Sequence, residues 1–200
     1  MTELLTDPGP EWVVAEMPAG YQNRLSEIQR LMADLQVMGQ FARLLRAVGP
    51  PLGEAVRDVF TALKFDTDLV DTSSWPTVTV RMEGKRRLLL IPSASTEAIQ
   101  KKSPEVAQVF QTLQDVAEDA DRVVLVTNVH PDTRPSDRPD ALAADALAFV
   151  VRMGATHLTA PTLFNLWKVS LQALDRARAQ VERLHGHEPG TFDLPASVLR

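Results

Sequence analysis

The residues whose types could do chemistry are few and loosely spaced. They are four histidines (His130, His157, His185 and His187) and a basic knot of Arg81, Lys85, Arg86 and Arg87, with Lys101-Lys102 close behind. Imidazoles could ligate a metal or relay a proton, but two histidines as His185-Gly-His187 fall short of a ligand set. His130 beside Asn128 in a polar stretch reads as a loop hydrogen-bonding residue, and His157 as a packed residue on a short strand. The chain has no cysteine, which excludes a thiolate nucleophile, Cys-ligated zinc and a disulfide framework. There is no glycine-rich phosphate loop, and no serine or threonine spacing that suggests a nucleophile. No cofactor is expected. The basic knot could meet a phosphate backbone. It is small, however, and not interleaved with aromatics, and the chain carries 21 basic against 26 acidic residues, a net charge of −5. A solvated rim is the simpler reading.

The elements that must position these residues are easier to read. Residues 1–20, with Pro8, Pro10, Pro18 and Gly20, form an irregular leader in which Trp12 is expected to dock. From Tyr21 to Val48 the pattern is helical. Leu25, Ile28, Met32 and Leu35 fall at alternating three- and four-residue steps, the seam of a coiled coil, before the phase slips to Met38, Phe41, Leu45 and Val48. Gly49-Pro50-Pro51 breaks the helix, and a second one runs to Lys64 with Leu52, Val56, Val59, Phe60 and Leu63 on one face.

Phe65–Asp71 is a strand. The hairpin Trp75–Ser93 follows, with β-branched Thr77–Val80 on one arm, a turn at Glu83-Gly84-Lys85 and the apolar run Leu88–Ile91 on the other. Pro92 should end the second arm or put it at an edge. Ser103-Pro104 starts a helix to Asp119 that carries Val106, Val109, Phe110, Leu113 and Val116 inward. Arg122–Thr127 is a buried strand, 129–139 a polar loop, Asp140–Met153 a helix, Ala155–Thr159 a strand, and Pro161–Leu184 one last long helix. The tail from Gly186 packs as an irregular cover. The order gives an α/β fold with a mixed central sheet flanked by helices, divided as 1–48 (leader and long helix), 49–185 (α/β domain) and 186–200 (tail). With 44% apolar residues, no bilayer-length apolar run and no basic-then-apolar start, a cytoplasmic location is expected and no membrane partner.

Four stretches carry a family resemblance over roughly residues 10–170. They are PEWV at Pro10–Val13; Leu44-Leu45 followed by GPPLGEAVRD at Gly49–Asp58; VVLVTN at Val123–Asn128 with Arg138 downstream; and LTAPTLF at Leu158–Phe164. Together they resemble the restriction-endonuclease-like superfamily of PD-(D/E)xK nucleases, in its bacterial members with an N-terminal helical extension. The resemblance implies a Mg²⁺ site built from an Asp on the first hairpin arm and a Glu-x-Lys on the second. Here those positions fall at Thr77 and at Leu90-Ile91-Pro92 or Ile91-Pro92-Ser93, where no residue is a carboxylate or an amine.

Asp66, Asp68 and Asp71 on the preceding strand, or Glu97 with Lys101 at helical i,i+4 spacing, are the other acids near the hairpin; the simpler reading makes them solvent-facing. The expectation is therefore a catalytically inactive nuclease-like domain kept for protein contact. Leu25, Ile28, Met32 and Leu35 would touch a protein partner or a second copy as a homodimer. The alternative is a non-cleaving nucleic-acid binder that uses Arg81, Lys85, Arg86 and Arg87. A further one is a Mg²⁺-dependent nuclease with a migrated site.

Overall fold

A five-stranded mixed sheet forms the centre of the computed structural model, which describes Trp12, residues 16–72 and residues 75–198. Strands β1 (Asp66–Thr72), β2 (Trp75–Arg81) and β3 (Arg87–Ser95) run antiparallel in sequence order. Strands β4 (Arg122–Val129) and β5 (Thr156–Thr159) continue the sheet parallel to β3. The helices are α1 (Tyr21–Phe41), α2 (Arg43–Arg46), α3 (Pro50–Ala62), α4 (Pro104–Asp115), α5 (Ala144–Arg152), α6 (Ala160–Ser170) and α7 (Leu174–His185). Helices α4 and α5 form the crossovers that parallel pairing requires.

The chain divides into two compact units, Met1–Gln40 and Phe41–Arg200, so residues 41–48 and the tail belong to the same unit as the sheet. Among the described residues no helix is long and apolar enough to cross a membrane.

Strand β3 explains the layering. Its side chains alternate, so Leu88 and Leu90 enter a core shared with α3, α6 and α7, while Leu89 and Ile91 enter a second core under α4 and α5. All four are fully buried. Strand β4 repeats the split, with Val124 and Val126 in the first core and Val123 and Leu125 in the second. A continuous apolar run is what a strand covered on both faces needs. Strand β2, between the edge strand β1 and β3, alternates instead, burying Val78 and Val80 while Thr77 and Thr79 are half-buried. Its partner β1 carries Asp66 and Asp68, exposed acids of the kind that discourage edge-to-edge pairing.

Several expectations change on contact with the fold. Strand β3 does not stop at Pro92. The β2 ladder ends at Leu90, so the missing proline N–H lies beyond it, and the β4 ladder runs on through Ser95. The long first helix runs to Arg46, two residues short of Val48. Its ladder is irregular at Ala42, which keeps helical angles (φ −61°, ψ −20°), and there Phe41 stacks on Trp167 with ring centroids 4.5 Å apart.

The last helix is two helices. Ser170 Oγ donates to the Trp167 carbonyl at 2.6 Å, and Ala173 leaves the helical region at φ −150°. Such back-bonding competes with the helix ladder and bends it. The break lets α7 turn Ala177, Val181 and Leu184 into the first core.

Helix α4 buries Glu105 and Thr112 and leaves Phe110 and Val116 half-exposed. Ser103 takes the N-cap position before Pro104 as expected, but its side chain makes no capping bond; its Oγ accepts from the Gln100 N–H at 2.9 Å. Glu97 and Lys101 are not on a helix at all. They lie in a turn segment tied by Ile99, whose N–H donates to the Ala141 carbonyl and whose carbonyl accepts from Ala143. Helix α5 starts four residues late, at Ala144, because that same bridge holds residues 141–143 extended. Trp12 is 69% exposed rather than docked, and the remainder of the Pro10–Val13 stretch lies outside the described residues.

Gly53 marks the closest approach of helix to sheet. A Cβ there would meet Pro76 Cβ at 2.9 Å and Leu69 Cδ1 at 3.4 Å, whereas Gly39 has nothing within 4 Å. Helix propensity favours alanine at both sites by about 1 kcal/mol. The contact with the rigid proline ring reverses the sign at one of them. Gly53→Ala should destabilise the protein by about 1–3 kcal/mol in urea unfolding, while Gly39→Ala should be neutral or stabilising.

Candidate functional site

The hairpin where the resemblance places a Mg²⁺ site does not fit that ion. Leu90 and Ile91 point into opposite apolar cores, and Pro92 is buried between them and Ser93. Thr77 sits half-buried on β2 opposite Val70. One carboxylate reaches the end of β3: Ser93 Oγ donates to Glu105 Oε1 at 3.3 Å, and Oε2 is buried without a hydrogen-bond partner. Glu105 lies in the first turn of α4, where the helix dipole favours a negative charge.

A divalent cation needs several oxygen ligands converging at once. Among the described residues no group of three or more His, Asp or Glu is placed to hold one. Glu97 is exposed, with its N–H held by Ser95 Oγ at 3.1 Å. Asp71 lies on β1 opposite Pro76.

The basic knot is largely neutralised. Arg81 reaches across to Asp66 at 3.0 Å and also bonds Asp68. Arg86 pairs with Glu182 at 3.0 Å and donates to the Glu83 carbonyl. Arg87 Nε donates to Asp121 Oδ1 at 3.0 Å, and its Nη2 bonds Glu118 at 3.1 Å. Burial by itself would raise the Asp121 carboxyl, but bonds from Arg87 and the Glu118 N–H outweigh it and hold that acid below its usual range. Lys85 is exposed in the turn at φ 63°, beside Gly84 at φ 72°. Three of the four cations thus bind their own chain before any phosphate.

Sequence reading did not assign a role to the Asn128–Arg138 pair beyond the resemblance. Asn128 is fully buried at the end of β4, and its Nδ2 donates to the Ala47 carbonyl at 2.9 Å. Arg138 donates to Asn128 Oδ1 at 2.8 Å, to the Leu45 carbonyl at 2.7 Å and to the Thr133 carbonyl at 2.9 Å. Burial lowers the Arg138 pKa from its ordinary value. This clasp fixes the loop after β4 against the α2–α3 junction. A buried polar residue closing an apolar strand was the signal that could have found it.

Next to the clasp, at the carboxyl ends of β4 and β5, opens a cavity of about 440 Å³. Thr127, Arg138, Asp140, His157, Thr159, Thr191 and Asp193 supply its polar lining. His157 is buried, with Nε2 2.9 Å from Thr127 Oγ1 and Nδ1 3.3 Å from Thr191 Oγ1. Burial depresses its pKa to about 4, so the ring is neutral at pH 7 with both nitrogens occupied. Its backbone also receives the tail, through its N–H to the Gly190 carbonyl and Phe192 N–H to its own carbonyl, both 2.8 Å. His157 is the tail's anchor.

The other histidines have separate duties. His130 turns the chain at φ 52°, His185 Nε2 lies 3.0 Å from the Ala120 carbonyl, and His187 packs edge-on against Phe192.

Among the described residues, helix α1 presents the largest run of exposed apolar side chains. Ile28 is 42% exposed, Leu31 48%, Met32 50%, Leu35 66% and Met38 46%, with Leu25 half-buried. Ile28, Met32 and Leu35 belong to the seam read from the sequence and Met38 to its slipped continuation; Leu31 widens it.

Because folding lowers the His157 pKa, the unfolded chain binds its proton first as pH falls. The contribution of the neutral His157 ring is fully present above pH 6.5 and should be lost toward pH 4, on the order of 3 kcal/mol. Asp121, held below its usual value, contributes its own loss only at lower pH. Urea unfolding at pH 7, 5.5 and 4 should show this decline, and His157→Gln, which cannot titrate, should flatten it while being less stable at pH 7.

No protein-family model, curated protein or solved structure matches the chain.

Proposed function

We propose that this chain is a catalytically inactive α/β domain of restriction-endonuclease-like ancestry that works by protein contact, with α1 as its contact element. The carrying observation is the exposed stripe of Ile28, Leu31, Met32, Leu35 and Met38 on one helix. Exposed apolar side chains are ordinary singly; a contiguous row of them marks an interaction surface. The element order around β2 and β3 supports the ancestry, and the fully apolar β3 supports the loss of metal chemistry. A strand committed to two cores has no room for paired carboxylates, whose burial without a metal would cost several kcal/mol. The nucleic-acid reading is weakened by the acids that hold Arg81, Arg86 and Arg87. A cytoplasmic homodimer is the simplest setting for such a module.

Two measurements test this. Purified protein with Mg²⁺ or Mn²⁺ should leave plasmid DNA intact; cleavage abolished by Glu97→Gln or Glu105→Gln would overturn the proposal. The Leu25→Asp/Met32→Asp variant should unfold within about 1 kcal/mol of the parent, since these side chains are not fully buried. It should nevertheless lose mass in light scattering or lose partners in a cross-linked pull-down. Both unchanged would contradict the contact role.

A further inference from the structure

Resting on that contact reading, we infer that the occupant of the α1 stripe is a second copy of this chain, bound antiparallel across a twofold axis near Arg30. With Leu25 and Met32 as a positions and Ile28 and Leu35 as d positions, Arg24, Leu31 and Met38 fall at g and Gln22, Gln29 and Gln36 at e. One flank of the seam is apolar apart from Arg24. The other is a row of uncharged amides. Charges that could select an acidic or basic partner lie off the seam: Glu27 and Asp34 are at c, and Arg30 at f is paired with Asp34 at 3.6 Å. A second copy therefore brings no like charges together, and a strongly charged partner finds nothing to pair with except Arg24.

The half-exposed Leu31 fixes the orientation. In a parallel in-register pair, g packs beside e, so Leu31 would lie against Gln36 and leave apolar surface against amide. In the antiparallel pair Leu25 meets Leu35 of the second copy, and Ile28 meets Met32. Leu31 then meets Leu31 on the axis, and Gln29 meets Gln29 on the opposite side. Apolar meets apolar and amide meets amide at every position except the outermost g pair, where Arg24 lies beside Met38. Such a contact is isologous, as a closed dimer requires. The seam offers only about two heptads over about 21 Å, so the association should be reversible and concentration-dependent.

The chain contains no cysteine, which makes cross-linking direct. Leu31→Cys should oxidise to a disulfide dimer on its own, and Leu25→Cys mixed with Leu35→Cys should give the mixed disulfide. Leu25→Cys alone should not, because its counterpart lies about 15 Å away along the axis, beyond the about 7 Å that a disulfide spans between Cα atoms. Light scattering of the parent at rising concentration should approach twice the monomer mass. Self-disulfide formation by Leu25→Cys, with no mixed product, would overturn the antiparallel arrangement. A parent that stays monomeric, with no cross-linking, overturns self-pairing. If Leu25→Asp/Met32→Asp then loses a captured partner, the contact reading survives with a different occupant; if it loses nothing, both fall.

Discussion

The burial of β3 on both faces is the constraint on which the other features depend. Leu88 and Leu90 serve one core, Leu89 and Ile91 the other, and the strand lies between β2 and β4 in the middle of the sheet. Each fully buried side chain of this kind contributes about 1.5–3 kcal/mol through removal from water. An ionised carboxylate or lysine at the same positions would have to be desolvated, at a cost of several kcal/mol unless paired or metal-bound. A strand that joins two apolar layers and a strand that presents metal ligands are therefore competing solutions. This sequence adopts the first.

With the sheet's interior closed to charge, polar groups are used where elements meet. Asn128 and Arg138 join the loop after β4 to the α2–α3 junction through backbone carbonyls. His157 joins the tail to β5, and Arg87 with Asp121 fastens the start of β3 to the turn before β4. Each is a buried or half-buried hydrogen-bonded group whose loss would strand a partner. The cavity beside His157 is lined in part by groups that hold the tail and loop, namely His157, Thr191 and Arg138, together with the carboxylates of Asp140 and Asp193.

The legible parts of the sequence were those governed by local pattern. The apolar runs Leu88–Ile91 and Val123–Val126 announced strands covered on both faces, Gly49-Pro50-Pro51 announced the break before α3, and Gly84 announced the hairpin turn. What escaped was decided by contacts distant in sequence. No proline or glycine marks the break between α6 and α7; a serine back-bond and the packing of α7 make it. Phe110 reads as a core residue by spacing, yet α4 is rotated so that Glu105 faces Ser93 and Phe110 faces out. The pairing of Arg81 with Asp66 and Asp68 depends on strand register, which no charge count reveals. Within the candidate contact surface, Leu25, Ile28, Met32 and Leu35 were readable from their spacing. Met38 was read in the slipped continuation of that spacing; Leu31 was not read, because only the exposure of the helix distinguishes a seam flank from a packed face.

The central claim is that this chain acts through the face of α1 rather than through chemistry at its sheet. Hydrogen–deuterium exchange across a series of protein concentrations addresses it most directly. The account predicts that backbone amides between Arg24 and Gln36 gain protection as concentration rises, while those of β3 and β4 stay unchanged. Protection in α1 that is independent of concentration, with no partner able to raise it, would contradict the account.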